Sequence, residues 1–434
     1  MSKYNSLEIT DIISTQIAIG DPPLLNAAGL HAPYALRIIV EVVTDAGIIG
    51  LSEIPGSEKI YKALEQAKPY LVGEDVFQLN QIKNILSRHF GSNAEDKRGV
   101  NPWDQRQLVH LFSAIEVACL DIMGKLLDRP VVDLLGGKCR NKVPFAAYLF
   151  LKYKGAGGNL EFNVENGAKG WLKARQEEAL NPDQIVSQAK AMCKEFGFQS
   201  IKLKGGALEP EIEYQCMVAL KDSFENDIPL RLDPNAIWSL DTALNYGKKL
   251  EGILEYYEDP VRGQKDMAAL SKLIDIPLAT NMCTTSFDDI PSSIRLGSEN
   301  IILSDHHFWG GLLASVQLNK ICQTFGKGFS MHSNSHLGIS MAAMVHLGAA
   351  VPHLDYALDT HYPWQTDEVI KGGKIPIKNG FAEIPDGPGL GVELDREQLQ
   401  KLHQNYLECG LKERNDEIEM QKINPQWKFK LLRW

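Results

Sequence analysis

The feature that most constrains the fold is a regular spacing of polar residues in the second half of the chain. Eight apolar stretches there predict strands and alternate with amphipathic stretches such as DQIVSQAKAMCKEF: 143–150, 199–205, 229–235, 255–260, 277–282, 300–305, 328–333 and 355–360. From the second stretch onward, each closes on a polar residue: Lys204, Asp233, Glu258, Asn281, Asp305, His332 and Asp359, at intervals of 29, 25, 23, 24, 27 and 27 residues. Eight βα units of nearly constant length predict a TIM-type (β/α)₈ barrel, whose active site lies at the C-terminal ends of the strands.

The rest of the 434-residue chain predicts further structure on either side of this barrel. In residues 1 to about 60, apolar and polar residues alternate with the period of β-strands. Residues 57 to 135 carry apolar residues at helical spacing. Strands followed by helices predict an N-terminal α+β domain. Since the barrel is complete after its eighth strand, we expect the C-terminal segment to pack back on that domain. The predicted boundaries are 1–138, 139–375 and 376–434, and the fold class is α/β.

The first βα connection is unusually long. Residues 152 to about 180 are rich in Gly and Asn and carry no clear apolar period. Long loops in compact domains often cover binding sites. We therefore expect this segment to lie over the mouth of the barrel.

Three oxygen-bearing side chains close consecutive strands and so converge at the barrel mouth. They are Asp233, Glu258 and Asn281. Each residue alone reads as a turn or helix cap. Three such residues at the ends of consecutive strands, with lysines on one side and a histidine on the other, favour a Mg²⁺ site, because Mg²⁺ prefers oxygen ligands.

Candidate proton-transfer groups stand on both sides of this predicted metal site. Lys202 and Lys204 project from one face of their strand, and repulsion between two ammonium groups is expected to lower at least one lysine pKa. Asp305 and His332 close neighbouring strands, where a carboxylate fixes the tautomer of an imidazole that acts as a general base. Taken alone, His332 is interpreted more simply as a structural histidine. Its position across the barrel from Lys204 favours a catalytic role instead.

Composition narrows the class of partner. A net charge of −10 argues against nucleic acid and against a membrane surface, which favour basic proteins. The seven cysteines are scattered and form no CxxC pair, which predicts reduced thiols in a cytoplasmic protein. The sequence has no Walker A loop, no GxGxxG motif and no GxSxG elbow, so nucleotide binding and serine hydrolysis lack support.

Several motifs resemble the enolase superfamily and, within it, the glucarate dehydratase subgroup. They cover nearly the whole chain: LHAPY, EIPGSEKI, KLKGG, LDPNAIWSL, YYEDP, ATNM, DHHFW, HSNSH, DTHYPWQ and PGLGVELD. That superfamily uses a Lys or His base with Mg²⁺. The resemblance implies a capping domain over the barrel, dehydration of an acid sugar and a homo-oligomer.

The resemblance also implies a role for each matching residue. It implies Mg²⁺ ligation by Asp233, Glu258 and Asn281, with Asn281 typical of the subgroup. It implies Lys204 as one base with Lys202 as its electrostatic partner, and His332 paired with Asp305 as the other. Matches to substrate-contacting positions are Asn26, His31, Tyr148, Asn235, Ser333, His361 and Arg433.

The substrate expected from this resemblance is a diacid sugar, because Arg433 matches an arginine that meets a distal carboxylate. D-glucarate is the first expectation. Other acid sugars, epimerisation and a non-catalytic paralogue are the alternatives. One departure concerns the pocket, since Pro102-Trp103 stands where the family pattern has Thr-Phe.

Overall fold

The computed structural model describes residues 7–31, 33–91, 98, 106–224 and 228–434. Pro102 and Trp103, the predicted departure in the pocket, lie outside the described residues. The N-terminal domain holds the antiparallel sheet β1–β4–β5 beside a hairpin, β2–β3. Its strands are β1 Ile9–Gly20, β2 Leu24–Asn26, β3 Gly29–His31, β4 Tyr34–Thr44 and β5 Ile49–Pro55, and its helices are α1 Glu58–Leu71, α2 Leu79–Phe90, α3 Gln107–Leu127 and α4 Val131–Leu134.

The barrel forms from the eight predicted strands. They are β6 Lys142–Phe150, β7 Ile201–Lys204, β8 Leu230–Asp233, β9 Leu254–Glu258, β10 Leu278–Thr280, β11 Ile301–Ser304, β12 Gly328–Met331 and β13 Leu358–Thr360. Strand β6 pairs in parallel with both β7 and β13, and Ser330 Oγ donates to the Ala357 carbonyl (3.0 Å) where β12 meets β13. The predicted α/β fold class, a (β/α)₈ barrel with an N-terminal capping domain, is confirmed.

Helices connect these strands around the outside of the barrel. They are α5 Gly170–Ala174, α6 Pro182–Phe196, α7 Pro210–Ser223, α8 Leu240–Leu250, α9 Gly263–Leu270, α10 Ile290–Leu296, α11 His306–Trp309, α12 Leu312–Thr324 and α13 Gly338–Ala350. The long segment after β6 packs on the capping domain, where Gly158 N–H donates to the Pro33 carbonyl (2.7 Å). Pro33 lies between β3 and β4, so the segment contacts the capping domain at that turn.

The C-terminal segment joins both domains. It contains β14 Ile377–Lys378, β15 Phe381–Glu383, α14 Arg396–Cys409 and α15 Asp416–Gln421. Strand β15 pairs antiparallel with the start of β6, so the segment begins on the barrel. Helix α14 then packs against β1, and α15 packs against β3. The segment also contacts the N-terminal domain before α14, since Gly389 N–H donates to the Arg129 carbonyl (2.9 Å) and Leu390 N–H donates to Asp121 Oδ1 (2.7 Å).

Two carboxylates of the capping domain hold the N-termini of barrel helices. Glu116 on α3 accepts the N–H groups of Leu312 (3.0 Å) and Leu313 (2.8 Å) at the start of α12. Glu53 on β5 accepts those of Leu337 (2.8 Å) and Ser340 (3.0 Å) at the start of α13. The first turn of a helix leaves N–H groups without intrahelical partners, so these carboxylates satisfy them across the domain boundary.

Helix α3 is the most apolar long helix of the described chain. By length and composition it passes as a membrane span, with a mean hydropathy of 1.4, yet 83% of that window is buried inside the protein. Burial against the sheet of the capping domain accounts for its apolar surface.

Candidate active site

The two lysines of β7 sit side by side at the mouth of the barrel. In the sheet register, Lys202 lies between Tyr148 and Arg231, and Lys204 lies between Phe150 and Asp233. Lys202 is fully buried, whereas Lys204 lines a cavity between the two domains. The lysine that faces a bound molecule is therefore Lys204.

Carboxylates surround the buried lysine. Lys202 Nζ donates to Glu258 Oε2 (2.5 Å) and Asp359 Oδ2 (2.6 Å), and Asp233 Oδ2 lies 3.3 Å away. Burial works against its charge, but Asp359 and Glu258 outweigh burial and hold the pKa of Lys202 well above its usual value. The expected lowering by a neighbouring ammonium is wrong for Lys202, because three anions lie close to it.

The second lysine shares one of these carboxylates. Lys204 Nζ donates to Asp233 Oδ2 (2.7 Å) and Asn235 Oδ1 (2.6 Å). Burial works to raise the pKa of Asp233, but Lys204 and Lys202 outweigh it and keep that pKa below its usual value. Asp233 is thus ionised and available to a cation.

The three predicted metal ligands lie together. Asp233 and Glu258 end β8 and β9, and Asn281 follows β10 and donates from Nδ2 to Glu258 Oε1 (2.6 Å). The Oδ1 atom of Asn281 is buried and has no hydrogen-bond partner among the described residues. An unpaired buried oxygen is costly unless a ligand satisfies it.

Charge also favours a cation here. Asp233 and Glu258 lie close together, and burial followed by the charge of Asp233 raises the pKa of Glu258 well above its usual value. A hard divalent cation would relieve this repulsion and fill the free position on Asn281. The residues present therefore fit Mg²⁺.

The predicted histidine lies across the cavity from Lys204. His332 Nδ1 is 3.0 Å from Asp305 Oδ2, which leaves Nε2 as the atom directed away from the carboxylate. The Phe308 ring stacks on the imidazole, with centroids 5.3 Å apart. Burial lowers the pKa of His332, although the hydrogen bond to Asp305 opposes this, so the imidazole is neutral at pH 7.

Sequence reasoning missed the groups that hold Asp305. Its Oδ1 meets His307 Nδ1 (2.8 Å), and its Oδ2 accepts from Asn334 Nδ2 (3.2 Å). Asn334 Oδ1 accepts in turn from buried Arg37 (2.8 Å), which also pairs with Glu53 (2.9 Å). The motifs DHHFW and HSNSH contain two of these residues, but only the packing of the domains brings Arg37 to them.

Asp305 also belongs to a second group that could hold a metal, together with His306 and His307. Both ring nitrogens of His307 are already engaged, with Asp305 Oδ1 (2.8 Å) and with the Glu53 carbonyl (2.9 Å). His307 therefore links β5 to Asp305, the residue after β11, through these two hydrogen bonds.

A cavity of about 170 Å³ connects the two proton-transfer groups. Lys204 and His332 both line it. Five of the predicted substrate-contacting residues line it as well: Asn26, His31, Tyr148, Ser333 and His361. Asn235 stands behind Lys204 and is not among its lining residues.

A buried aspartate organises one wall of this cavity. Asp21 faces His361 Nε2 (3.3 Å), His31 Nδ1 (3.5 Å) and Ser335 Oγ (2.8 Å). Burial followed by the charge of Arg414 lowers the pKa of His31 to about 4. His31 is thus a neutral hydrogen-bonding group at pH 7.

Among the described residues, two arginines line the cavity: Arg37, which is paired with Glu53, and Arg414, which sequence reasoning did not single out. It pairs with Asp416 through Nε (2.7 Å) and Nη2 (2.6 Å), and Asp416 also accepts from Asn26 (2.7 Å). In the sequence, ERND resembles any polar surface turn. No local signal therefore distinguishes Arg414 from an arginine in a surface ion pair.

Arg433, the predicted partner of a distal carboxylate, lies in the C-terminal tail. Its guanidinium donates to the Ala27 carbonyl (3.1 Å) and stacks on the rings of Trp427 and Trp434. It is not among the residues lining the cavity. The tail packs Arg433 between aromatic rings, and its contact with a distal carboxylate stays a prediction.

These features define a (β/α)₈ barrel whose mouth holds buried acidic side chains, two lysines and a histidine and is covered by a second domain. Known proteins are similar to this chain over both domains. The family model "Mandelate racemase / muconate lactonizing enzyme, N-terminal domain" matches residues 23–136, and "Enolase C-terminal domain-like" matches residues 184–398. The probable glucarate dehydratase of Streptomyces coelicolor is 43% identical, with 97% of each chain covered.

Solved structures agree in fold over the whole chain. An enolase from Pseudomonas fluorescens, with bound magnesium, potassium and tartrate, has a TM-score of 0.90 and 47% identity over 99% of this chain and 100% of its own. One from Mycobacterium smegmatis, complexed with formate and acetate, has a TM-score of 0.91 and 44% identity, with both chains fully covered. The chain belongs to the enolase superfamily. It is a hydro-lyase of the glucarate dehydratase-like type.

Proposed function

We propose that this enzyme removes water from a diacid sugar, with D-glucarate as first substrate and 5-keto-4-deoxy-D-glucarate as product. The observation that carries the proposal is that Arg414 lines the same cavity as Lys204 and His332. Arg414 pairs with Asp416 through Nε and Nη2, and a guanidinium has five N–H donors, so it can meet a substrate carboxylate as well as Asp416. A substrate with a carboxylate at each end would then satisfy both ends of the site. The Pseudomonas fluorescens relative holds tartrate, a smaller hydroxy diacid, together with magnesium.

The cation in this proposal is Mg²⁺, held by Asp233, Glu258 and Asn281. When bound, it would neutralise the substrate carboxylate as negative charge develops next to the reacting carbon. Lys202 adds a fixed positive charge behind the site, because its carboxylate partners keep it protonated.

The proton transfers belong to His332 and Lys204. The C–H bond α to the carboxylate breaks, and its proton goes to His332 Nε2 or to Lys204 Nζ according to the face that carries it. The neighbouring C–O bond then breaks, and the hydroxyl leaves as water with a proton from His332 Nε2. His332 has that proton from the α carbon when it is the base; when Lys204 is the base, Lys204 must begin as the neutral amine and His332 as the imidazolium. The enol that remains takes up a proton on carbon to give the keto diacid.

A second function is open to the same site. Two bases on opposite faces permit removal of a proton from one side and its return on the other, which is epimerisation. Galactarate, idarate and aldonates are the alternative substrates. The L-talarate/galactarate dehydratase of Salmonella typhimurium is 25% identical over 90% of this chain and 88% of its own.

We further propose that the enzyme is a cytoplasmic homo-oligomer.

The substrate assignment is tested with D-glucarate, galactarate and gluconate at equal concentration with Mg²⁺, scored for keto-acid formation. We expect D-glucarate to give the highest kcat/KM. Arg414→Met should lower kcat/KM for diacids by about 10- to 100-fold and leave that for gluconate nearly unchanged, because it removes a charge-assisted contact. If gluconate is the best substrate of the unmodified enzyme, the diacid proposal fails; if galactarate is, only the stereochemistry does.

A further inference from the structure

A second cavity lies apart from the catalytic one. It has a volume of about 910 Å³ and separates the segment after β6, around residues 156–175, from the segment after β13, around residues 362–378. Among the described residues, none lines both cavities. Its charged wall consists of Lys169, Arg175, Lys374, Lys378 and Lys401 against Glu165, Glu195 and Asp367. This wall has an excess of positive charge although the whole chain has a net charge of −10, so the cavity favours an anion.

One arginine in this cavity is buried without full satisfaction. Arg175 is only 2% exposed, and its Nε donates to the Trp364 carbonyl (3.0 Å). Its Nη2 atom has no hydrogen-bond partner in the part of the chain that the structure describes. A buried guanidinium N–H without an acceptor is costly, and Arg175 is one of the residues that line this cavity.

A lysine from the opposite wall faces the same space. Lys374 Nζ donates to the carbonyls of Tyr362 (2.6 Å) and Gln365 (2.5 Å) and lies 4.1 Å from the Tyr362 ring centroid. Burial lowers the pKa of Lys374 to about 7, and the charge of Arg175 contributes to that lowering. Two cations held close enough to repel are stabilised when an anion binds between them.

We propose that Arg175 and Lys374 form a second binding site, for a small anion with carboxylate or phosphate groups. The amide of Gln365 completes the polar wall, since its Oε1 is buried and lacks a partner among the described residues. That oxygen accepts a hydrogen bond from a hydroxyl of the ligand.

Two hydrogen-bonded paths join this site to the catalytic cavity. The Trp364 carbonyl that binds Arg175 belongs to a residue whose Nε1 donates to the Tyr148 carbonyl (2.7 Å). Gln365 Nε2 donates to Asp21 Oδ1 (3.2 Å), which faces His361. Tyr148 and His361 both line the catalytic cavity, so hydrogen bonds connect the walls of the two cavities.

The test is calorimetric titration of the full-length enzyme, without divalent metal, with inorganic phosphate and separately with succinate. We expect Arg175→Gln and Lys374→Met each to weaken binding by about tenfold or more, the effect of a lost contact to a charged group. Lys371→Met is the matched control, because Lys371 is an exposed lysine of the same segment outside the cavity. Binding of phosphate alone or succinate alone identifies which anion class the site takes.

Three outcomes overturn the proposal: neither probe binds, both cavity variants bind like the unmodified enzyme, or Arg414→Met abolishes binding, which would place the anion in the catalytic cavity. Circular dichroism checks the fold of each variant. If Arg175→Gln does not fold, Lys374→Met decides the question, since Lys374 is only half-buried.

Discussion

Two lysines that stand two residues apart acquire different chemistry from their surroundings. Lys202 is enclosed by Glu258 and Asp359 and stays cationic, so it is a fixed charge. Lys204 reaches the cavity wall and shares Asp233 with the predicted cation site. His332 faces the same cavity from the other side, held by Asp305. At the scale of single residues, the proposed site consists of one fixed cation and two groups placed to move protons.

The clearest test of this division is His332→Asn. We expect kcat for dehydration to fall by about 10²–10⁴-fold, because the variant loses both a base and the group that protonates the departing hydroxyl. Steady-state keto-acid formation measures the loss, and His89→Asn, at an exposed position, is the control. If His332→Asn forms keto acid as fast as the unmodified enzyme, the roles assigned to His332 are wrong.

The pH dependence depends on Asp305. Burial lowers the pKa of His332 and Asp305 opposes this, so the acid limb of kcat/KM should lie below the usual histidine pKa of about 6.5. In Asp305→Asn the opposing charge is lost, so we expect the acid limb to move to lower pH. The plateau should fall on the order of 10³–10⁴-fold because the tautomer is no longer fixed. A pH–rate profile from pH 4 to 9 measures both changes, and an acid limb that moves to higher pH contradicts the assignment.

At the scale of elements, the barrel is tied to its capping domain through helix N-termini. Glu116 and Glu53 reach from α3 and β5 to the first turns of α12 and α13. Glu53 also holds Arg37, which reaches Asn334 beside Asp305. The contact that docks the two domains is therefore continuous with the contacts that orient His332.

Gly311, just before α12, permits the Glu116 contact. Its φ is +106°, and a Cβ there would lie 2.5 Å from Glu116 Cδ. We expect Gly311→Ala to destabilise the protein by about 3–5 kcal/mol, the sum of backbone strain and overpacking. Gly326→Ala is the control, since Gly326 has a φ of +63° and open space around it, so only strain of about 1–2 kcal/mol is expected. Thermal unfolding followed by circular dichroism compares them, and equal Tm values would show that the close approach to Glu116 does not matter.

At the scale of the whole molecule, the cation site links distant parts of the fold. Asp233, Glu258 and Asn281 come from three strand ends, and Asp359 closes the cluster from β13, which pairs with β6 to complete the barrel. A cation that binds only the folded chain therefore stabilises the closed barrel. The gain is about 2.7 kcal/mol at 100 times the dissociation constant.

Mg²⁺ should consequently raise the Tm in a concentration-dependent way, without any substrate. Asn281→Ala removes the oxygen that lacks a partner among the described residues, so this variant should need a higher Mg²⁺ concentration for the same rise. Asn424→Ala, at an exposed position, is the control. The same Mg²⁺ response in Asn281→Ala and in the unmodified enzyme would remove Asn281 from the ligand set.

The sequence by itself determined the barrel and the position of its reactive end. Strand side chains alternate with a period of two, and consecutive βα units repeat at a nearly constant length, so local patterns suffice to place Lys204, Asp233, Glu258 and His332 at strand ends. The eight predicted strands all form.

Only the tertiary structure decided which residues from other segments complete the site. Arg414 and Arg433 both stand in polar stretches near the C-terminus, yet only Arg414 reaches the cavity, because Asp416 positions it beside Asn26. The high pKa of Lys202 likewise depends on Asp359, which is 157 residues away in the chain. Contacts of this kind arise from the docking of distant segments, and no local pattern carries information about them.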